Sequence, residues 1–508
     1  MAQPQRVQDL LTEAASAHPD SPAVRDRHGV WDYTTLDHAA HRAAAWLRDR
    51  GVRPGDRVAV RLGNVREFVA LLFGAARAGA VFVPVNPAMK DFHLRTVLAD
   101  SEPSLALTAA GEEGVLAPIA GCPVHAVTDV PLADGPCPKT EDAAPGPDDL
   151  ALLIYTSGST SSPKAVMSPH RTTVFAARAI AARLGYRSDD VVLTTIPLSF
   201  DYGLYQIFLA ALAGAELVLT DADSHAGLMA TIRRHGVTVL PLVPSLAEML
   251  VRLASRDLHR GAGPATVLRL VTNTGAALTP PLIAALRGVF PAVKVVPMFG
   301  ITECKRVTIL EPDGDLKRPF SVGRALPGTE VLVLDEQGRR QPPGVVGEIV
   351  VRGPHVMAGY WRAPELTAER FRRDPETGEN TLHTGDFGHL DEDGHLYFHG
   401  RRDDMFKRRG VRMSALEIEA AALDIPGVSA AAVLPPADGH ELTLFAVGGL
   451  SPKEIVARLG ERLEAAKVPP HCIVLDSLPL TANGKTDKKQ LSALADIPAE
   501  RHQLAMTA

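Results

Sequence analysis

The chain has 508 residues, of which 46% are hydrophobic and 22% charged, and its formal net charge is −6. This length predicts several packed units, and the charge balance excludes a global field that would attract a polyanion, so no nucleic-acid partner is expected. No apolar run is long enough to cross a bilayer and residues 1–30 lack the pattern of a secretory signal, which predicts a cytoplasmic protein without a membrane partner. The 4 cysteines are too few and too scattered for a disulfide framework or a zinc site.

Helical and apolar segments alternate over residues 1 to about 150, a rhythm that predicts βαβ units, and they alternate again over residues 173–310. Residues 121–149 are rich in Pro, Gly and Asp and are predicted to form a surface loop, after which ALLIYT is predicted as a buried strand. Later predicted strands lie in VVLTTIPLSF, VLRLVTNTG and VKVVPMFG, and polar or Gly-containing loops follow them. Because the carboxyl ends of parallel strands meet at one edge of a sheet, the chemistry is predicted at these loops.

From about residue 320 the pattern changes to short strands separated by turn signals, which predicts a β subdomain. After GRRDD, residues 400–404, a smaller unit with its own helices and strands begins. The predicted fold is therefore of the α/β class. Residues 1–402 are expected to form a large N-terminal domain of layered α/β subdomains plus the β subdomain, and residues 403–508 a small α+β C-terminal domain.

The stretch YTSGSTSSPK, residues 155–164, places small and hydroxylated residues before one lysine. Backbone N–H groups and hydroxyls in such a loop bind an anion, and Lys164 adds positive charge, which suits a polyphosphate. The stretch differs from the P-loop of NTPases because Pro163 precedes the lysine and Ala165 follows it. Taken alone, it is equally compatible with a flexible polar surface loop.

This stretch resembles the signature of the adenylate-forming superfamily, which includes acyl-CoA synthetases, the adenylation domains of peptide synthetases, and luciferases. The other motifs similar to that family, in its order, are RAGAVFVPVNP (77–87), FGITE (299–303), GEIVVRGPHVMAGYW (347–361), TGD (384–386), GRRDDMFKRRG (400–410) and PLTANGKTD (479–487). The resemblance covers nearly the whole chain and implies an AMP-forming ligase that uses ATP and Mg²⁺. It departs from the family at Ser161 and Ala165, where glycine is usual; if a positive φ is needed there, each change costs about 1 kcal/mol.

The resemblance also implies how ATP is bound: by the phosphate loop, by an aromatic side chain beside the adenine, and by a carboxylate and an arginine at the ribose. The matching residues are Thr156, Ser157, Gly158, Ser159, Thr160, Lys164, Phe299, Asp386 and Arg401. Taken alone, Asp386 and Arg401 could each be a turn residue or part of a surface ion pair.

The catalytic residues implied by the resemblance are Glu303, Thr302 and Lys485. Glu303 would ligate Mg²⁺, Thr302 would contact the phosphates, and Lys485 would bridge the attacking carboxylate and the α-phosphate. Asp403 would be the hinge about which a mobile C-terminal domain rotates. Taken alone, Glu303 could cap a helix and Lys485 could be a solvated surface charge after an Asn-Gly turn.

The acid site is expected along IPLSFDYGLYQIF, residues 196–208. Phe200 and Asp201 resemble the FD of amino-acid-activating domains, whose aspartate pairs with the substrate amine. A carboxylate that faced a fatty-acyl tunnel would be buried without a partner, which also favours an amino acid. The alternative role for Asp201 is the N-cap of the following helix. The other residues expected to line the pocket are Tyr202, Tyr205, Thr274, Gly275, Gly300, Ile301 and Arg306.

Lys305 and Arg306 follow Glu303, where they could meet a second carboxylate of the substrate or form ion pairs with nearby acids. The preferred interpretation is adenylation of an amino acid, with β-amino and aromatic acids included, and transfer to the pantetheine of a separate carrier protein or to coenzyme A. The alternatives are an acyl- or aryl-CoA ligase, an adenylating enzyme that forms no thioester, and a nucleotide-binding regulatory protein.

Overall fold

The structure is a computed structural model that describes residues 5–133, 145–156, 163–220, 227–259, 267–374, 380–401, 405–408, 411–436, 441–463, 467–481 and 486–495. Predicted site residues outside the described ones are Ser157, Gly158, Ser159, Thr160, Asp403 and Lys485. Ser161 and the predicted domain boundary at residue 403 also lie outside them, so that boundary stays a prediction.

The helices alternate with strands along most of the chain. In chain order they are α1 (Val7–Ala17), α2 (Tyr33–Asp49), α3 (Arg66–Ala78), α4 (Asp91–Ser101), α5 (Glu113–Leu116), α6 (His170–Leu184), α7 (Asp201–Ala213), α8 (Leu228–His235), α9 (Pro244–His259), α10 (Pro280–Val289), α11 (Pro364–Arg370), α12 (Ala415–Leu423), α13 (Pro452–Gly460) and α14 (Lys488–Ala495). Side-chain caps fix several starts: the Asp32 carboxylate accepts a hydrogen bond from the Thr35 N–H at the start of α2. Within the described ranges, no helix is long and apolar enough to span a membrane.

Most strands are short. In chain order they are β1 (Pro22–Asp26), β2 (Gly29–Asp32), β3 (Arg57–Arg61), β4 (Val81–Pro84), β5 (Leu105–Thr108), β6 (Val124–Ala126), β7 (Leu150–Thr156), β8 (Lys164–Pro169), β9 (Val191–Thr194), β10 (Glu216–Leu219), β11 (Val239–Leu242), β12 (Leu270–Asn273), β13 (Lys294–Phe299), β14 (Thr308–Ile309), β15 (Arg324–Ala325), β16 (Glu330–Leu334), β17 (Gly347–Arg352), β18 (Phe371–Arg373), β19 (Asn380–Leu390), β20 (Leu396–Arg401), β21 (Met405–Arg408), β22 (Val411–Ser414), β23 (Val428–Leu434), β24 (Thr443–Gly448) and β25 (His471–Leu475).

Two large sheets organise residues 5–325. The six-stranded sheet has the order β6-β5-β3-β4-β7-β8 and is parallel except for the β7–β8 hairpin. The nine-stranded sheet has the order β15-β14-β13-β12-β11-β9-β10-β1-β2 and is parallel from β13 to β1. The predicted βαβ rhythm is therefore confirmed. The prediction of a surface loop over residues 121–149 was wrong in part, because Val124–Ala126 forms an edge strand beside β5.

The later part of the chain is built differently. Strands β16 to β20 form an antiparallel sheet, which confirms the predicted β subdomain. Strands β23, β24 and β25 form a separate sheet whose apolar residues pack with those of α12 and α13. Earlier in the chain, the largest apolar cluster draws on α1, α2, α3, α6 and α7 and on strands of both large sheets, so helices fill the space between those sheets.

Candidate active site

Three loops at the carboxyl edge of the nine-stranded sheet form the candidate site. Thr274 and Gly275 follow β12, Gly300 and Ile301 follow β13, and the segment after β9 leads into α7 at Asp201. Because β9, β12 and β13 run parallel in one sheet, the structure brings these predicted residues to the same edge. The Thr274 hydroxyl is buried and has no hydrogen-bond partner among the described residues, so it is available to a ligand.

The start of α7 directs Asp201 toward this edge. A Cβ atom on Gly203 would lie 2.5 Å from the carbonyl oxygen of Pro197, so only glycine lets the first turn pack against the preceding segment. The N-cap of α7 is Phe200, whose side chain makes no capping hydrogen bond, and Asp201 is the first helical residue. The alternative that Asp201 is the N-cap was therefore wrong. Its carboxylate still lies at the positive end of the helix dipole.

Asp201 forms an ion pair with Arg306, a residue that is distant from it along the chain. The Arg306 Nη1 atom lies 3.8 Å from the Asp201 Oδ2 atom, and the two side chains are 5% and 18% exposed. The Arg306 guanidinium also lies 4.8 Å from the centre of the Tyr202 ring. The Tyr202 hydroxyl donates to Thr272 of β12 at 2.8 Å, which fixes the ring beneath the guanidinium. Burial raises the pKa of Tyr202 to about 12, so this hydroxyl stays protonated.

The loop after β13 turns back tightly to present Arg306. A Cβ atom on Gly300 would lie 2.3 Å from the carbonyl oxygen of Lys305, so glycine permits the close approach of the two ends of the loop. Lys305 has a φ of 66°, in the left-handed region that non-glycine residues rarely adopt. Cys304 is fully buried and anchors the loop in an apolar cluster. Backbone strain at Lys305 thus accompanies the inward direction of both basic side chains.

Lys305 is fully buried, and its Nζ atom has no hydrogen-bond partner among the described residues. This atom lies 5.8 Å from the centre of the Tyr205 ring, which itself packs edge-on against Phe208. Burial lowers the pKa of Lys305 to about 8, partly opposed by the nearby Asp201 carboxylate. The pocket therefore holds one paired arginine and one lysine that lacks a hydrogen-bonded acceptor among the described residues.

Glu303, the predicted metal ligand, is held by a tyrosine. The Tyr360 hydroxyl donates to the Glu303 Oε1 atom at 2.5 Å. The Lys164 Nζ atom lies 6.0 Å from the centre of the same ring. No helix begins near Glu303 in the described segment between β13 and β14, so the alternative that Glu303 caps a helix was wrong. Thr302, beside it, is half-buried.

The predicted nucleotide residues outside the phosphate loop lie on β13, β19 and β20. Phe299, the last residue of β13, stacks on Phe398 with ring centres 4.9 Å apart. Asp386 and Arg401 face each other across the β19–β20 ladder, with Asp386 Oδ1 3.5 Å from Arg401 Nε. Asp386 is 2% exposed and Arg401 59% exposed, so the carboxylate is not a surface residue.

The β7–β8 hairpin carries both ends of the predicted phosphate loop. Thr156 is the last residue of β7 and pairs with Lys164, the first residue of β8. Ala165 pairs with Tyr155 in the same ladder and is not among the non-glycine residues with positive φ. A positive φ is therefore not needed at this position, and the conditional cost assigned to Ala165 does not arise.

Residues 11–361 match the profile of the family described as "AMP-binding enzyme", and residues 417–485 match that of the "AMP-binding enzyme C-terminal domain". The chain belongs to the AMP-binding enzyme family. It is an AMP-forming ligase of the adenylate-forming superfamily, which confirms what the sequence motifs implied.

Similar proteins in this family include a peptide synthetase and two proteins of known structure. Tyrocidine synthase 3 of Brevibacillus parabrevis is 32% identical over 498 residues, 95% of this chain and 8% of that protein. The chain spans 6% to 19% of the length of the curated peptide synthetases it matches. VinN is 46% identical, with a TM-score of 0.73 over 78% of this chain and 98% of VinN, and has been solved with L-aspartate and with 3-methylaspartate. ATP-bound MatB from Rhodopseudomonas palustris is 28% identical, with a TM-score of 0.84 over 96% and 99% of the two chains.

Two residues of this AMP-binding enzyme were missed as members of the site by sequence reasoning. Tyr360 lies in the motif GEIVVRGPHVMAGYW, which was singled out without a role for the tyrosine, and Phe398 carried no signal of its own. Lys305 was singled out only as one of two adjacent basic residues, with no sign that its side chain is buried.

Proposed function

We propose that this AMP-binding enzyme adenylates an amino acid that carries a second carboxylate and then passes the acyl group to a thiol. The observation that carries the proposal is the grouping of Asp201, which begins α7 after β9, with Lys305 and Arg306, which lie in the loop after β13. One carboxylate and two basic groups suit a substrate that brings one ammonium and one carboxylate in addition to the carboxyl that reacts.

The balance of charge in the pocket favours such a substrate over a plain fatty or aryl acid. Arg306 is already paired with Asp201, whereas the buried Lys305 ammonium has no hydrogen-bonded acceptor among the described residues. A buried cation without a partner is costly, and a substrate carboxylate would remove that cost. The substrate ammonium would in turn share the Asp201 carboxylate with Arg306.

The comparison with VinN supports the same class of acid. VinN, 46% identical to this chain, has been solved with L-aspartate and with 3-methylaspartate, both of which contain one amine and two carboxylates. We extend this class of substrate to the present chain because Asp201 would meet the amine and Lys305 would meet the second carboxylate. If the substrate were a fatty or aryl acid with no charged group besides the reacting carboxylate, the buried Lys305 ammonium would have no hydrogen-bonded partner of opposite charge among the described residues.

ATP fits the remainder of the site. Phe299 and Phe398 offer an aromatic face for adenine, and the buried Asp386 carboxylate can accept hydrogen bonds from ribose hydroxyls. Lys164 would neutralise the β and γ phosphates, together with the residues between Thr156 and Lys164. MatB, which shares this fold, has been solved with ATP.

The residues present also suit Mg²⁺ as the ion that accompanies ATP. Within the described residues no group of three or more His, Cys, Asp or Glu could hold a metal, so the protein would contribute Glu303, with one oxygen held by Tyr360, and the phosphates would contribute the rest. This sparse set is what Mg²⁺ uses when it binds with a nucleotide. When bound, Mg²⁺ would neutralise part of the negative charge on the phosphates.

In the reaction, a carboxylate oxygen of the acid attacks the α-phosphorus and the bond to pyrophosphate breaks. Asp201, Lys305 and Arg306 would orient the acid so that its reacting carboxyl approaches the phosphate, and the predicted catalytic Lys485 would neutralise both groups as they meet. A thiol sulfur would then attack the acyl carbon and release AMP. A carrier-protein pantetheine is the proposed acceptor and coenzyme A the alternative.

The test is ATP–pyrophosphate exchange with aspartate, 3-methylaspartate, β-alanine, succinate and benzoate. The proposal expects aspartate or 3-methylaspartate to exceed β-alanine, which lacks the second carboxylate, and succinate, which lacks the amine. Preference for benzoate or succinate would overturn it. AMP release on adding a phosphopantetheinylated carrier protein, or coenzyme A, then identifies the acceptor, while adenylation without either transfer would support the alternative that forms no thioester.

A further inference from the structure

Residues 357–361 link the strand that carries Lys164 to the loop that carries Glu303. Three backbone hydrogen bonds of 2.9 to 3.0 Å join this segment to Ala165 and Met167 of β8. At its other end the Met357 N–H donates to the Glu303 carbonyl oxygen at 2.9 Å. The segment therefore fixes the distance between the backbones of two predicted phosphate and metal residues.

The side chain of Tyr360 makes the same connection. It is 7% exposed, packs edge-on against Phe371 with ring centres 5.5 Å apart, and donates its hydroxyl to Glu303. The Tyr360 N–H donates to the Thr367 hydroxyl at 3.0 Å, which fixes the backbone that carries the ring. The ring is thus held by packing and by its own backbone, independently of Glu303.

A hydroxyl held in this way can orient a carboxylate. Hydrogen bonds to an ionised acceptor are shorter and stronger than neutral ones, and the 2.5 Å contact is of that kind. The Tyr360 hydroxyl uses one lone pair of Oε1 and so fixes the direction in which the Glu303 carboxylate faces, while the remaining lone pairs can serve another ligand. Without the hydroxyl, the Glu303 side chain would be free to rotate among its rotamers.

We propose that Tyr360 is a positioning residue, which fixes the orientation of the Glu303 carboxylate that would ligate the metal ion and keeps that carboxylate in register with Lys164. This inference rests on the proposed role of Glu303 as the metal ligand. Partners that orient a metal ligand affect metal affinity without touching the metal, and their loss costs about 10- to 100-fold in affinity or activity.

The test measures Mn²⁺ binding by electron paramagnetic resonance, in the presence of α,β-methylene-ATP, for the wild-type protein and Tyr360→Phe. The expected result is a dissociation constant about 10-fold higher for Tyr360→Phe. The matched control is Tyr33→Phe, which removes another buried hydroxyl, one that donates to the carbonyl oxygens of Ala210 and Ala215. This control should leave Mn²⁺ affinity unchanged. The half-saturating Mg²⁺ concentration for pyrophosphate exchange should rise in parallel for Tyr360→Phe only.

Glu303→Gln separates the possible failures. If Glu303→Gln weakens Mn²⁺ binding and Tyr360→Phe does not, the positioning role is overturned and the metal-binding role of Glu303 stands. If Glu303→Gln itself binds Mn²⁺ as the wild type does, the metal-binding role of Glu303 and the positioning role of Tyr360 are both overturned. The choice of acid substrate is tested separately, by pyrophosphate exchange with the five acids named above. Thr367→Val, which removes the acceptor of the Tyr360 amide, gives a second variant should Tyr360→Phe not fold. It should weaken Mn²⁺ binding in the same direction by a smaller factor.

Discussion

Asp201 and Arg306 form an ion pair across the carboxyl edge of the nine-stranded sheet, with Oδ2 and Nη1 3.8 Å apart and both side chains largely buried. Asp201 begins a helix and Arg306 ends a loop, so the pair joins two separate walls of the pocket. A pair in this position can exchange part of its interaction for contacts with a zwitterionic substrate.

The first prediction concerns the Asp201 carboxylate. Asp201→Asn keeps the shape of the side chain but removes the charge that would pair with the substrate ammonium, and it leaves Arg306 buried without its partner. We expect kcat/KM for aspartate in pyrophosphate exchange to fall about 100-fold or more, the range seen when one member of a desolvated charge pair is removed. The matched control is Asp393→Asn, in a pair with Arg318 whose aspartate is 58% exposed. An aspartate kcat/KM within about threefold of wild type would contradict the role of Asp201, since exposed pairs contribute about that much or less.

The second prediction tests whether Lys305 recognises the second carboxylate of the substrate, independently of its amine. Lys305→Met has a similar shape and no charge, so activity with aspartate should fall about 100-fold while activity with β-alanine changes little, because only aspartate brings the additional carboxylate. Equal losses with both acids would contradict a role in reading that carboxylate. Lys294→Met, at an exposed lysine at the start of β13, is the control.

The same substitution should stabilise the unliganded protein. Burial lowers the pKa of Lys305 from 10.5 to about 8. This shift means that keeping the side chain charged in the folded protein costs about 3 kcal/mol of stability. Its folded pKa is lowered, so the cost of burying the charged form is fully present below pH 8, decreases between pH 8 and 10.5, and is absent above. We therefore expect Lys305→Met to raise the free energy of unfolding at pH 7 but not at pH 11, as measured by urea denaturation. No gain at pH 7 would show that the ammonium already has a partner.

The edge of the sheet that carries the site was predictable, but the internal pairing of its side chains was not. Apolar runs followed by polar loops locate Thr274 and Gly300, because strand periodicity and turn residues are local signals. The pairing of Asp201 with Arg306 depends on how α7 packs against the loop after β13. That packing is set by Gly203 and by the left-handed backbone at Lys305, neither of which has a local sequence signature.

The contact between Tyr360 and Glu303 was not predictable from the sequence either. Its motif was visible in the sequence, but its hydroxyl meets Glu303 only because residues 357–361 lie beside β8 and form backbone hydrogen bonds with it. The two residues are 57 positions apart, and neither carries a pattern that points to the other. Long-range pairing of side chains is a property of tertiary structure, which propensity and periodicity do not encode.

A third prediction follows from the pKa of Lys305. The free pocket holds a charged lysine below pH 8 and a neutral one above it, so affinity for a second carboxylate should decline as the pH rises through about 8. The ratio of kcat/KM for aspartate to that for β-alanine isolates this effect, because both substrates carry an amine and use the same catalytic groups. We expect the ratio to be constant at low pH and to fall with a midpoint near the pKa of the free enzyme. The ratio should be low and independent of pH in Lys305→Met, and a constant ratio in the wild type would contradict the prediction.

The fourth prediction concerns Ala165, one of the two positions at which the phosphate-loop motif departs from the pattern expected by resemblance. Since Ala165 lies in the β7–β8 ladder and is 1% exposed, a glycine there would gain no conformational freedom that the fold uses and would lose a buried methyl group. Ala165→Gly should therefore lower the free energy of unfolding by about 1 kcal/mol. It should also leave kcat for pyrophosphate exchange unchanged. A higher kcat would mean that the native alanine slows the reaction, which requires a backbone conformation at this position other than the extended one in the β8 ladder. The reciprocal control is Gly146→Ala, at a glycine without positive φ. The nearest atom to its added Cβ would be Asp149 Oδ2 at 3.4 Å, so this change should not lower the free energy of unfolding.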